Sequence, residues 1–379
     1  MKPYFEILHS DPGCQARTGI ITTAHGIIHT PVFMPVGTQG TVKALTPKDL
    51  IDNEVEIILN NTYHMYLRPG NQLIRDFGGL HHFISWNKPI LTDSGGYQVF
   101  SLLDLIKISE EGVQFKSHID GSSHFFSPER VMEIQTDFGS DIMMAFDECT
   151  PYPATYEYAD QSQRRTSRWA QRCKRHFDML QQERSYTPQL LFGIVQGSTY
   201  GELRRISAES ICELDFPGNA IGGLSVGEPK SLMVEMLEIT TPLLPIDKPR
   251  YLMGVGMPED IIEAVRNGVD MFDCVVPTRY GRNGTVFTFQ GKKNIRNAQF
   301  KQSRSPIDPQ CQCYTCTHFS TAYLRHLIQA GEILGAHLLT LHNIHFFMSF
   351  MAQLRQSIHE NRFSNWSNQF LSSYTVWRS

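Results

Sequence analysis

The 379-residue sequence has no apolar run approaching the about 20 consecutive apolar residues that a membrane-spanning helix needs. Its opening, Met1-Lys2-Pro3-Tyr4-Phe5-Glu6, lacks the apolar core of a secretion signal. Five cysteines, Cys14, Cys149, Cys173, Cys212 and Cys274, stand far apart, which excludes a disulfide framework and fits a reducing cytoplasm. Low-complexity tracts and interdomain linkers are missing too, so a single domain over residues 1–379 is expected. No glycine-rich phosphate fingerprint occurs. The most local absence is of negative charge. Between Cys274 and Ile307 there is no aspartate or glutamate, while Arg279, Arg282, Lys292, Lys293, Arg296, Lys301 and Arg304 are all cationic. In a chain of formal net charge −4, such a one-signed stretch reads as a phosphate-contacting surface or as a solvated loop face. A second basic run, Arg164, Arg165, Arg168, Arg172, Lys174 and Arg175, has helical spacing and reads as an exposed helix face.

The remaining cysteines are concentrated. Cys311, Cys313 and Cys316 place three thiols in six residues, a spacing that suits a tetrahedral Zn²⁺ site. His318, His326, His337, His342 and His345 are all near enough in sequence to supply a fourth ligand. A closed set of thiolates and imidazole leaves no position for water, so the metal is structural and the chemistry lies elsewhere.

Short apolar runs, each closed by a polar residue or glycine, recur along the chain. They are residues 31–36, 57–59, 89–91, 142–146, 190–195, 220–221, 251–253 and 269–272, separated mostly by segments with helical patterning. Strands apolar on both faces are covered by helices on both, and eight such units predict an α/β fold of the (β/α)₈ barrel type. An open doubly wound sheet is the alternative. Residues 4–30 alternate like an N-terminal hairpin, 101–127 form an insertion, and 285–345 hold the basic stretch and the zinc ligands as a subdomain.

In a barrel, the residues after the strands converge on one rim, here Asn61, Asp93, Asp147, Gln196, Gly223, Gly254 and Asp273. Any one aspartate there reads first as a structural helix N-cap, and only the set of three carries weight. Three together suggest displacement at an anomeric carbon, with one carboxylate as nucleophile and another as proton donor.

Five motifs occur in order: Asp93-Ser94-Gly95-Gly96-Tyr97-Gln98, Phe146-Asp147-Glu148-Cys149, Gly193-Ile194-Val195-Gln196-Gly197, Gly222 to Glu228, and Phe272-Asp273 through Thr278-Arg279 to Gly284. With the three cysteines and His342-Asn343, this set resembles the bacterial tRNA-guanine transglycosylase (queuine tRNA-ribosyltransferase) family over nearly the whole chain. The resemblance implies a barrel with a zinc subdomain after its last strand and His342 as the fourth ligand. It implies exchange of the wobble guanine of tRNAs with GUN anticodons for preQ1, in queuosine biosynthesis. Asp273 would be the nucleophile that forms a covalent RNA intermediate, and Asp93 the general acid and base. Ser94, Gly95, Gly96, Tyr97, Asp147, Gln196, Gly223, Leu224 and Met253 would bind the base. In that set Asp147 would accept from its N–H groups, Gln196 and the Gly223 amide would donate to its carbonyl, and Tyr97 and Met253 would sandwich it. Arg279, Arg282 and the segments from Gly254 to Asp260 and Thr278 to Arg282 would hold the tRNA anticodon loop. The family is typically homodimeric and cytoplasmic.

Cys149 and Val226 match the bacterial pattern, whereas Ser225 stands where many members carry alanine. A non-catalytic homologue would lack the full carboxylate set, and an unrelated barrel glycosidase would leave the basic stretch unexplained.

Overall fold

The computed structural model describes residues 4–102, 106–183 and 188–374. Eight parallel strands close into a barrel: β1 (Val32–Gly37), β2 (Ile58–Asn60), β3 (Ile90–Thr92), β4 (Ile142–Met144), β5 (Leu190–Val195), β6 (Gly218–Ile221), β7 (Arg250–Leu252) and β8 (Met271–Cys274). Each pairs with its sequence neighbour, and β8 returns to β1 in the register Met271↔Val32 through Cys274↔Pro35. Closure rules out the open sheet. All eight expected runs became barrel strands.

Alternation along the strands divides the apolar residues between two cores. Val32, Met34 and Val36 of β1, with Leu190, Phe192 and Ile194 of β5, fill the interior together with Leu59, Leu91, Met144 and Tyr251. Their neighbours Phe33, Leu191 and Val195 face the surrounding helices. Residues 4–30 form three antiparallel strands rather than a hairpin: Phe5–Ser10, Arg17–Thr23 and Gly26–Thr30. The last two are joined by a tight turn at Ala24-His25, which lacks the Asn-Gly or Asp-Gly signature that marks such turns. Phe5, Ile21 and Ile28 from this sheet join the interior cluster and plug it.

The 101–127 insertion carries a second antiparallel sheet of Ile106–Ile108, Val113–Lys116 and Ser123–Phe126, while residues 103–105 lie outside the described residues, as do 1–3 of the opening segment. After β8 come the short helix Val276–Arg282, the hairpin Thr285–Thr288 with Gly291–Asn294, and the helix Tyr314–His318. A long helix, Ile333–His359, then packs back on Val276–Arg282. Gly281 lies so close to it that a Cβ would sit 2.8 Å from the Thr340 backbone. Among the described residues no helix is long and apolar enough to cross a membrane.

Candidate active site

The strand C-termini open into a cavity of about 340 Å³ lined by Asp93, Asp147, Gln196, Gly223 and Asp273 among others. Tyr97, exposed at its rim, and half-buried Met253 also line it. All three expected carboxylates therefore share one site.

Asp93, one residue past β3, is held by four donors. The Thr62 and Gly95 amides donate to Oδ1 at 2.8 and 3.1 Å, and the Asn61 and Gln98 side-chain amides donate to Oδ2. Burial nonetheless pushes its carboxyl up from 3.8 to about 6 against the pull of Asn61, Thr62 and Gln98, and the charge of Asp273 adds to the rise. Asp147 accepts from Ser94 Oγ at 2.9 Å and from Gln196 Nε2 at 2.7 Å. Burial raises it to about 6 as well, outweighing those two bonds. Gly96 does not line the cavity. Its backbone lies against Asp147, where a Cβ would come within 2.6 Å of the carbonyl oxygen, so only glycine fits.

Asp273 belongs to β8 itself. Its Oδ1 accepts from the Tyr251 hydroxyl at 2.6 Å and the Gly254 amide at 2.8 Å, and no hydrogen bond reaches Oδ2 among the described residues. Its pKa is raised, by burial first, with Tyr251 and Gly254 opposing. Burial and the neighbouring Asp273 hold the Tyr251 phenol well above its ordinary 10, so it donates and does not ionise. Cys149 and Cys274 also line the cavity, but burial pushes both thiols up to about 12, which removes a thiolate nucleophile from consideration at neutral pH. Of the three site carboxylates, Asp273 is the one that keeps an oxygen, Oδ2, without a hydrogen bond among the described residues.

The model of one protein family, queuine tRNA-ribosyltransferase, matches residues 11–376. A queuine tRNA-ribosyltransferase of Caldanaerobacter subterraneus subsp. tengcongensis is 56% identical over 370 residues, covering 98% of this chain and 97% of its own length. One from Pelotomaculum thermopropionicum is 56% identical with 98% of each chain covered, and one from Lysinibacillus sphaericus is 54% identical over 98% and 96%. The chain belongs to the queuine tRNA-ribosyltransferase family. It is a pentosyltransferase, and guanine exchange in tRNA is the family's activity.

Like the barrel rim, a cluster of three thiols and an imidazole that could hold a metal ion is assembled by the fold. Cys311, Cys313 and Cys316 surround His342 Nδ1 at 3.7, 3.5 and 3.3 Å. Ligands at about 2.3 Å (sulfur) and 2.1 Å (nitrogen) from a tetrahedral ion would stand about 3.6 Å apart, so the cluster fits such an ion. His342 Nε2 bonds the Phe287 carbonyl at 2.8 Å, which leaves Nδ1 as the ligand atom. Of the other candidate histidines, His318 bonds the Tyr314 carbonyl and His337 the Ala44 carbonyl, while His345 bonds Asn53 through Nδ1 and also lies beside Cys311. Next to His342, Asn343 donates to the Pro277 and Thr285 carbonyls and accepts from the Phe287 amide.

The two basic runs separate. In the helix Tyr156–Glu183, Arg164, Arg165, Arg168, Arg172 and Lys174 pair with Asp160, Glu148, Glu110, Glu129 and Asp178, so all of that run but Arg175 has a carboxylate partner. In the acid-free stretch, Lys293 donates to the Ile307 carbonyl at 2.7 Å and Arg296 to the Asn283 carbonyl at 3.2 Å, tying loops together. Arg279, Lys301 and Arg304 are exposed, whereas half-buried Arg282 bonds the Thr278 carbonyl. Of the segment from Gly254 to Asp260, Gly254 lines the cavity, while Glu259 and Asp260 pair with Lys230.

Three contributors escaped sequence reading. Tyr251 and Gln98 hold the carboxylates, and Arg204 lies fully buried behind the loops after β5 and β6. A signal existed for the last: in the helix Gly201–Cys212 it shares the buried stripe Leu203, Ser207, Ala208 and Ile211.

Proposed function

We propose that this family member exchanges the wobble guanine of GUN-anticodon tRNAs for preQ1 by double displacement. Asp273 Oδ2 attacks C1′ of the ribose, the bond to guanine N9 breaks, and its electron pair leaves with guanine as the base takes a proton from Asp93. PreQ1 then enters, gives its N9 proton to Asp93 and attacks C1′, and the Asp273 carboxylate is released. Two displacements at one carbon retain configuration. Trading one N-glycosidic bond for another needs no external energy source.

The observation that carries the reading is the asymmetry of the two carboxylates. Asp273 is tethered through one oxygen with the other free, as a nucleophile requires. Asp93 is raised to about 6, near where a group that must both give and take a proton works best. Asp147, reading the N1–H and exocyclic amine of the base, would favour guanine-like rings, since adenine would leave the buried carboxylate unpaired. Gln196 keeps Oε1 buried without a partner while its amide nitrogen serves Asp147. Tyr97 and Met253 flank the opening as stacking surfaces for an extruded base. Arg279 and Arg282 with the exposed Lys301 and Arg304 supply cations for the anticodon-loop phosphates. The Cys311, Cys313, Cys316 and His342 cluster would hold one Zn²⁺ as a structural clip that takes no part in the reaction. A homodimer in the cytoplasm completes the proposal.

The test is incorporation of radiolabelled guanine into tRNA with a guanine wobble base, with preQ1 as competitor, alongside denaturing gels. Wild type should give both exchange and an RNA adduct that survives denaturation, Asp273→Asn neither, and Asp93→Asn tRNA binding without exchange. An adduct persisting in Asp273→Asn would refute the assignment of the nucleophile.

A further inference from the structure

Arg204 has no role in the chemistry above, yet it is 0% exposed and no carboxylate pairs with it among the described residues. A buried guanidinium without a counter-ion is costly, and burial brings its pKa down to about 10, which still leaves it cationic at neutral pH. Its hydrogen bonds among the described residues all go to carbonyl oxygens, while the Glu228 carboxylate acts on it only through space. Nε donates to Ser198 O at 2.8 Å, Nη1 to Val195 O at 3.2 Å and Gly222 O at 2.8 Å, and Nη2 to Gly223 O at 3.3 Å. These carbonyls belong to the end of β5 and to the loops after β5 and β6, which bring Gln196 and Gly223 to the cavity.

In a planar trans peptide, C=O and N–H point in opposite directions. The Gly222 carbonyl faces Arg204, so the Gly223 N–H of the same peptide faces away from it. The Gly223 carbonyl also faces Arg204, so the Leu224 N–H turns the same way. Both residues line the cavity; the Gly223 N–H lies beside the Cys149 sulfur, a weak acceptor, and neither N–H donates to a protein oxygen or nitrogen among the described residues. Gly223 reaches this geometry at φ +64°, and a Cβ there would come 2.4 Å from Gln196 Oε1. Two adjacent, outward-turned N–H groups backed by a cation form a small concave donor site for an electronegative atom.

We propose that Arg204 is a positioning residue for base recognition, which aims and polarises the Gly223 and Leu224 amides at the carbonyl oxygen of a guanine-like base. The inference rests on the base-exchange reading of the cavity. A residue needed only for folding would lower the active fraction. A residue that aims donors at the base weakens the base and leaves tRNA alone.

The experiment compares full-length wild type, Arg204→Lys and Arg204→Met in steady-state guanine exchange, with KM determined separately for guanine and tRNA. Misaiming one or two donors should raise the guanine KM about ten- to a hundredfold in Arg204→Met, with tRNA KM and the fraction forming adduct little changed. Arg204→Lys, keeping the cation but fewer donors, should fall between. An unchanged guanine KM in a folded variant overturns the proposal, as does failure of both variants to fold, which would make Arg204 a stability residue. Wild-type protein that exchanges no guanine would instead sink the base-exchange reading itself.

Discussion

Replacing Asp147 by asparagine should stabilise the protein while destroying its recognition of the base. Burial raises this carboxyl from 3.8 to about 6, so the folded state holds a carboxylate less comfortably than the unfolded chain does. The sign follows from the two pKa values. Below the unfolded value both states are protonated and the penalty vanishes; it grows as pH rises and is complete above the folded value. Above that point the rise corresponds to about 3 kcal/mol, and at pH 5 to roughly half as much. Asparagine removes the charge at little cost in hydrogen bonds. Ser94 Oγ can still donate to the remaining oxygen, and Gln196 can turn its amide to present Oε1, now buried without a partner, to the new NH₂ group. For a chain of this size, 3 kcal/mol translates to a rise in melting temperature of about 3–6 °C. The assay is thermal unfolding of wild type and Asp147→Asn from pH 5 to 8, with guanine binding measured alongside. The variant should melt higher at pH 8, lose about half that advantage at pH 5, and bind guanine at least about tenfold more weakly. Equal melting temperatures at pH 8, or an advantage that does not change with pH, would refute the reasoning.

Tyr251→Phe removes a donor from Asp273 Oδ1 without altering the apolar barrel interior, and should slow guanine exchange about ten- to a hundredfold with little change in melting temperature; full activity would mean that the Gly254 amide holds the nucleophile alone. Cys316→Ala should lose about one equivalent of zinc by metal analysis and destabilise the region around the long C-terminal helix, since binding to such sites is worth on the order of 10 kcal/mol of folding free energy. Retention of full zinc would show the cluster is not the site. Replacing Lys301 and Arg304 by alanine should weaken tRNA binding and reduce the log–log salt slope by roughly 0.7–0.9 per lost phosphate contact, with free guanine binding unchanged. Lys292, Lys293 and Arg296 of the same stretch make a poorer test, because Lys293 and Arg296 also tie loops together.

What could be read before the fold was known followed the strength of the local signal. Barrel strands buried on both faces leave unbroken apolar runs, so all eight were legible. Closely spaced thiols announced the metal cluster, but the fourth ligand depended on how a long helix is rotated against the hairpin Thr285–Thr288 with Gly291–Asn294, and spacing carries no such information. The third strand of the N-terminal sheet was missed because its turn has no characteristic residues, and its pairing is decided by what it plugs. Charge runs were ambiguous for a related reason. Whether Arg165 or Arg168 is free depends on Glu148 and Glu110, which lie on other elements. Tyr251 and Arg204 were missed for the opposite reason. Each is a single polar group in an apolar pattern, and its importance lies wholly in which carboxylate or carbonyl it meets.

The long helix that carries His342 also presses Thr340 against Gly281 and, through Asn343, grips the carbonyl of Pro277, only four residues beyond Asp273. The cluster that could hold a metal ion thus stands at one end of a rigid lever, and Asp273 stands near the other. Slack introduced at the thiolates would reach Asp273 as an error of aim. A chelator should therefore silence the enzyme by degrees before it melts it, and the turnover number would report metal occupancy sooner than any probe of the fold.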